Sequence, residues 1–207
     1  VNMSGAVKLA KAIKEAEITT PICFVGSHVS ALPIEVLNTE QCVDIVLCNE
    51  GVYALRNLLT IDIDNTEELK IIKGIGFRLN GKAILTPPEQ VVPQHLMDKD
   101  LPGYAWDLLP YKRKPLDLYR SHFWHAEYDH NKRTPFAAIY TSLGCSFGCE
   151  FCMINIINRD DTDLVGVASN YSKMRFWSPE FIITEFDKLV DMGVKTLRIS
   201  DEMFLLN

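Results

Sequence analysis

The chain is short of positive charge, of a second cysteine cluster and of long apolar runs, and each shortage closes off a class of function. Lysine and arginine total 21 against 27 aspartates and glutamates, a net charge of −6, which argues against non-specific binding to nucleic acid. No run is long enough to cross a bilayer and no secretory signal is seen, so no membrane span is expected and the cytoplasm is the expected compartment. Internal repeats and low-complexity tracts are absent. The first residue is Val1, not an initiator methionine. Of the six cysteines, Cys23, Cys42 and Cys48 are scattered through apolar segments, where a thiol behaves as a small core hydrophobe. In an acidic, intracellular chain a disulfide framework is not expected.

What is present is concentrated. Cys145-Ser146-Phe147-Gly148-Cys149-Glu150-Phe151-Cys152 directly follows the apolar run Phe136 to Tyr140. Three thiolates at three-plus-two spacing after a strand read as iron–sulfur ligation, and a cubane normally takes four thiolates. With no local fourth, one iron would stay open to a ligand that is not protein. The same thiolates with His122, His125 or His130 would instead suit a structural zinc site. Three unligated thiols in a loop is the plainest alternative.

The spacing C-x3-C-x2-C, with aromatic Phe151 just before the last cysteine, resembles the signature of the radical S-adenosylmethionine (radical SAM) superfamily. The resemblance implies that Cys145, Cys149 and Cys152 hold a 4Fe-4S cluster and that the amino and carboxylate groups of S-adenosylmethionine chelate the open iron. It implies reductive cleavage to methionine and a 5′-deoxyadenosyl radical that abstracts hydrogen from a small-molecule substrate, with flavodoxin or ferredoxin as reductant. Phe151 would lie against the adenosine.

The following residues suit that context. Ser178-Pro179-Glu180 is a helix start, with a serine cap and proline at the first position. Phe181, Ile182, Phe186, Leu189 and Val190 recur at helical spacing, Gly193 stops the helix, and Val194 to Ser200 reads as a strand. Strand, cysteine loop, helix and strand make one βαβ crossover. In an α/β barrel, chemistry gathers at the carboxyl ends of the strands, which places Cys145 and the pair Asp201-Glu202 at one mouth. Ser200-Asp201-Glu202-Met203-Phe204 resembles the segment of cobalamin-dependent members that lies against the SAM amino group. A solvated strand end is the bland reading of the same pair.

Upstream, strands alternate with helices. Residues 4–17 form an amphipathic helix with Ala6, Leu9, Ala10 and Ile13 as its stripe. Ile22 to Val25 is a strand, Gly26-Ser27-His28 a loop, and Pro33 to Leu37 a second helix. Val43 to Cys48 is a strand, and Asn49-Glu50-Gly51 turns into a helix carrying Val52, Leu55, Leu58 and Leu59. Such alternation implies a parallel, doubly wound (Rossmann-like) sheet with its ligand crevice at the carboxyl ends. Residues 26–33 and 43–51 resemble two motifs of the cobalamin-binding domain that precedes the barrel in a large radical SAM branch. That implies corrin-tail contacts from Gly26, Glu50 and Gly51, each of which a structural turn would also explain. Ser27 and Asn49 stand where the family has glycine. No Asp-x-His-x-x-Gly motif supplies an axial histidine, and His28 is not assigned to cobalt.

Between these parts, Ile71 to Leu79 and Lys82 to Leu85 flank Asn80-Gly81, a strong hairpin signal. A proline-rich stretch follows, in which residues 101–110 resemble the same family's interdomain connector, and Tyr111-Lys112-Arg113-Lys114 reads as a solvated basic linker. The expected organisation is α/β throughout: a partial cobalamin-binding domain over 1–68, a hairpin and connector over 69–134, and the opening of a radical SAM (β/α) partial TIM barrel over 135–207. A complete barrel takes about 200 to 250 residues, so the chain is expected to be a fragment of a longer protein. The expected function is reductive cleavage of SAM coupled to methyl transfer or oxidative ring formation. The alternatives are a zinc-stabilised interaction module and a radical SAM enzyme whose upstream sheet does not bind cobalamin.

Overall fold

A computed structural model describes residues 3–109, 111–112, 135–147, 149, 151–154 and 174–204. His122, His125 and His130 lie outside the described residues. The chain divides into two compact units, one of 1–92 with 144–173 and the other of 93–143 with 174–207. Among the described residues no helix is long and apolar enough to cross a membrane.

The first unit is a mixed α/β layer structure. Its elements are α1 (Met3–Glu15), β1 (Cys23–Val25), α2 (Ser27–Ala31), α3 (Pro33–Thr39), β2 (Ile45–Leu47), α4 (Val52–Leu58), α5 (Thr66–Ile71), β3 (Ile75–Leu79) and β4 (Lys82–Leu85). The sheet order is β1-β2-β3-β4. β1 and β2 run parallel with Val25 opposite Leu47, whereas β3 pairs antiparallel with β2 and β4 antiparallel with β3. The expected all-parallel sheet is therefore mixed, because the hairpin assigned to the connector adds to this sheet. Asn80 and Gly81 have φ of 51° and 77°, the two positive values a two-residue hairpin turn needs to match strand twist.

Period-two alternation along β2 sorts the core. Val46 faces one way and packs with Val7 and Ala10 of α1, Val29 of α2 and Val36 and Leu37 of α3. Ile45 and Leu47 face the other way, with Ala54 and Leu58 of α4, Leu69 of α5, and Ile75 and Phe77 of β3. Both faces are covered, as expected for parallel neighbours. The stripe of α1 is turned relative to expectation: Val7 and Ala10 are buried and Met3 packs beside them, while Ala6 is exposed and Leu9 is 64% exposed. Met3, Val7 and Ala10 also satisfy helical spacing, and apolar side chains occupy too much of this helix for spacing to choose. Lys14, next along that face, pairs with Asp44 at 2.8 Å.

The second unit is built on a βαβ crossover: β5 (Phe136–Ile139), α7 (Pro179–Asp191) and β8 (Thr196–Ile199), with β5 and β8 parallel and in register from Phe136 opposite Thr196 to Ile139 opposite Ile199. β6 (Ser142–Leu143) and β7 (Arg175–Phe176) form a small antiparallel pair, and a short helix α6 (Met97–Asp100) precedes them in the chain. The Ser178 hydroxyl accepts from Phe181 N–H at 3.1 Å, the expected cap ahead of Pro179. Trp106, Ala137, Leu189 and Val194 form the core. The stripe of α7 departs at two places: Val190 is 65% exposed, and Glu185 is 1% exposed with Lys188 bonded to one of its oxygens.

The connector packs on this crossover. The Gln94 amide exchanges two 2.8 Å bonds with the Phe176 backbone, and the Trp177 indole donates to Leu101 O at 2.8 Å.

Gly76 on β3 is packed against both neighbouring strands and a helix. A Cβ there would sit 2.6 Å from Leu85, 2.8 Å from Val46 and 3.1 Å from Leu37. Gly76→Ala is expected to destabilise the protein by roughly 1–3 kcal/mol through overpacking, outweighing any backbone-entropy gain. Urea unfolding checks this; an unchanged midpoint would contradict it.

Candidate functional site

The predicted upstream residues gather at the carboxyl edge of β1 and β2. β1 ends at Val25, and the chain turns into α2 through Gly26, whose φ of 125° and ψ of −178° are essentially open to glycine alone. β2 ends at Leu47, and the chain enters α4 through Asn49 (φ 56°) and Gly51 (φ 74°). A Cβ on Gly51 would meet Val25 at 3.2 Å and Leu47 at 3.3 Å, so this turn lies against the end of β1; a Cβ on Gly26 would meet nothing within 4 Å. Gly26 instead opens onto a cavity of about 300 Å³, lined also by Met3, Phe24, Ser27 and His28. Ser27-His28, expected as loop, are the first residues of α2.

The Glu50 carboxylate accepts from Val92 N–H at 2.8 Å, a use within the protein that its sequence context did not signal. Two further polar side chains follow these turns, Asn49 in the loop already named from the sequence and Ser30 on α2. Asn49 and Ser30 are buried, and among the described residues Asn49 Oδ1 and Ser30 Oγ have no hydrogen-bond partner. The open backbone at Gly26 and the cavity beside it fit the close approach of a ligand such as a corrin tail. Cys23, on β1, has its thiol pKa raised by burial first and by Asp44 second, which suits a packed thiol and disfavours the thiolate a metal requires.

The cysteine run begins after β6, where Gly144 has φ of 91°. Cys145 and Cys152 are half-buried, Cys149 is exposed, and no disulfide joins any cysteine. Cys152 N–H donates to Cys149 O at 3.1 Å, a turn across the last two ligand positions. Phe147 N–H points at Cys145 Sγ at 3.5 Å, and N–H bonds to sulfur are among the contacts that tune iron–sulfur centres. Among the described residues no three metal-capable side chains stand in metal-holding geometry. The donor set fits a cluster in its chemistry: three thiols in one short run, none oxidised to a disulfide. Phe151 is 92% exposed.

The downstream pair sits at the carboxyl end of β8. Asp201 accepts from the Thr141 N–H at 2.7 Å, from the Thr141 hydroxyl at 2.5 Å and from the Ser142 hydroxyl at 2.8 Å. Glu202 is exposed. Two phenols share this edge: Tyr104, one of the connector aromatics, and Tyr140 at the end of the run that forms β5. Tyr140 N–H donates to Tyr104 Oη at 3.3 Å. Burial is the main force raising both phenol pKa values, with Asp201 adding to each and Glu202 to that of Tyr140. The cysteine run and Asp201-Glu202 fall in different units.

No protein-family model matches the chain. A curated protein of Pyrococcus horikoshii, described as an uncharacterized methyltransferase, is 27% identical over 206 residues, which are 99% of this chain and 38% of the relative. The chain thus spans well under half of that protein. The solved structure of the radical S-adenosylmethionine methyltransferase TsrM from Kitasatospora setae, with cobalamin and a 4Fe-4S cluster bound, aligns with a TM-score of 0.59 at 16% identity, over 98% of this chain and 34% of TsrM. The likeness shows a shared fold.

The raised phenol values set a pH dependence. A phenol whose folded pKa is raised is held neutral by the fold, so its contribution is complete below the unfolded value near 10 and is lost as pH rises through the higher folded value. Stability is expected to fall above about pH 10, and Tyr140→Phe is expected to flatten that fall. Unfolding curves on either side of that pH check the sign; identical pH profiles for parent and variant would contradict it.

Proposed function

We propose that the chain is the core of a cobalamin-dependent radical SAM methyltransferase, combining a corrin-binding sheet with the opening strands of a radical SAM barrel. One observation carries the reading. The run Cys145-x3-Cys149-x2-Cys152 follows β5 and β6 in a chain that shares its fold, over nearly its whole length, with a methyltransferase solved with both cofactors.

Cys145, Cys149 and Cys152 would hold the cluster through their thiolates, and three ligands for four irons leave one position for the cosubstrate. When bound and reduced, the cluster supplies the electron that cleaves the sulfonium of S-adenosylmethionine; cobalamin supplies a methyl carrier. The chain's own work is binding and orientation. Phe151 offers an unoccupied aromatic face to the adenosine. Asp201 and Glu202 give the carboxyl end of β8 a negative edge toward which the methionyl amine is drawn. Gly26 and Gly51 let the backbone approach a corrin tail closely, and Glu50 braces the same edge through Val92. A one-electron donor of the flavodoxin or ferredoxin class is required, together with a small-molecule methyl acceptor.

Anaerobic reconstitution of the full-length protein is expected to give a brown protein with about four irons per chain. Alanine at Cys145, Cys149 or Cys152 is expected to abolish the colour, while Cys23→Ala keeps it. A colourless protein with stoichiometric zinc would overturn the reading in favour of a structural metal site.

The corrin half has its own measurement. Hydroxocobalamin is expected to stay with the full-length protein through gel filtration, and the paramagnetic resonance spectrum of the reduced, Co(II) form is expected to be the same in parent and His28→Ala. A nitrogen splitting that vanishes in His28→Ala would show axial ligation by His28, contrary to this account. A protein that never retains the corrin would reduce the upstream sheet to a structural element.

A further inference from the structure

Past Leu47 the chain stays bonded to its neighbours for a few residues more. Cys48 N–H donates to Gly74 O at 2.8 Å, just ahead of β3, and Gly74 N–H donates to Pro87 O at 2.7 Å, just past β4. Because β3 runs antiparallel to β2, Gly74 stands at the carboxyl edge of β2, and the segment that starts at Pro87 lies beside it there. Gly74 is wedged in place: at its φ of 75° a Cβ would sit 2.7 Å from Glu89 Cβ and 3.5 Å from Ala54 Cβ on α4. Val91 and Val92 at the end of the segment are buried, Val92 completely. A buried main-chain N–H must find an acceptor. That of Val92 finds the Glu50 carboxylate at 2.8 Å, 42 positions earlier. Glu50 in turn lies between two left-handed residues, Asn49 and Gly51, and Gly51 rests on Val25 and Leu47, so the turn that carries the carboxylate is seated on the ends of both parallel strands.

We propose that residues 87–92 form the rim of the strand-end crevice on the side away from Gly26, and that Glu50 is the latch that holds this rim, a positioning residue for the corrin and not a contact to it. In the sheet order β1-β2-β3, Gly26 follows β1 and Gly74 precedes β3, so the two flank the end of β2. β2 has turned away towards α4 before it can offer Val92 a main-chain carbonyl, and the Glu50 side chain takes that carbonyl's place with a charge-assisted bond. Swinging the carboxylate out to a ligand would leave the buried Val92 N–H unpaired. The effect on the corrin rests on the cobalamin reading given above; the latch does not.

Two conservative variants of the full-length protein separate reach from charge. Glu50→Asp keeps the charge and shortens the side chain by one methylene; Glu50→Gln keeps the reach and an accepting oxygen. In the cofactor-free protein, hydrogen–deuterium exchange of the amides of residues 89–92 is expected to rise about tenfold or more in Glu50→Asp, as loss of a bond to a charged group requires, and to stay within about threefold of the parent in Glu50→Gln. Exchange in Glu50→Asp equal to the parent's would overturn the latch. Equilibrium binding of hydroxocobalamin is expected to follow the same order, about tenfold weaker in Glu50→Asp and close to the parent in Glu50→Gln. Glu50→Gln that binds hydroxocobalamin tenfold more weakly while its 89–92 amides exchange like the parent's would make the Glu50 charge a direct contact and overturn the proposal. Parent-like binding in a Glu50→Asp protein whose rim exchanges freely would overturn the positioning role. A parent protein that retains no corrin would sink the cobalamin reading, while the exchange arm still decides the latch.

Discussion

The hand-over from a strand to the segment that follows it is the constraint on which the arrangement depends. A parallel strand ends at one edge of its sheet, and the chain must reverse within a few residues to cover a face. Here the reversal passes through Gly26 after β1 and through Asn49 and Gly51 after β2, all with positive φ. Such a conformation turns the backbone sharply without a long loop. It also leaves the carboxyl edge lined by main chain and short side chains, which is the edge at which open α/β sheets bind their ligands. The candidate cofactor residues lie next to these turns because the turns create the space.

At the strand ends of each unit the polar groups divide into those already used and those left over. Glu50 is bonded to Val92 and Asp201 to Thr141 and Ser142, so two acids that look like ligands in the sequence brace the scaffold. Asn49 Oδ1 and Ser30 Oγ are buried without partners among the described residues, and Glu202 and Phe151 face solvent.

Much of this was legible in the sequence where one local rule decided the outcome. Asn80-Gly81 fixed a hairpin, Ser178-Pro179 fixed a helix start, and the alternation of apolar runs located β1, β2, β5 and β8. What spacing could not decide was partnership. The hairpin looked like part of a connector because a two-residue turn says nothing about the third strand, and β3 proved to pair with β2. The stripe of α1 could be phased two ways, and contact with Val46 selected Val7 over Leu9. Glu185 was invisible as a core residue because its burial depends on Lys188 and on segments distant in the chain. The bonds of Asp201 to residues 60 positions away are equally beyond local pattern, while the cysteine run, being wholly local, was plain from the start.

The central claim is that three cysteines hold a four-iron cluster whose remaining iron belongs to the cosubstrate. Mössbauer spectroscopy of the full-length protein loaded with isotopically enriched iron tests it most directly, with and without S-adenosylmethionine. The account predicts one iron distinguishable from the other three, its isomer shift moving when S-adenosylmethionine is added. Four equivalent irons that do not respond to S-adenosylmethionine would contradict it.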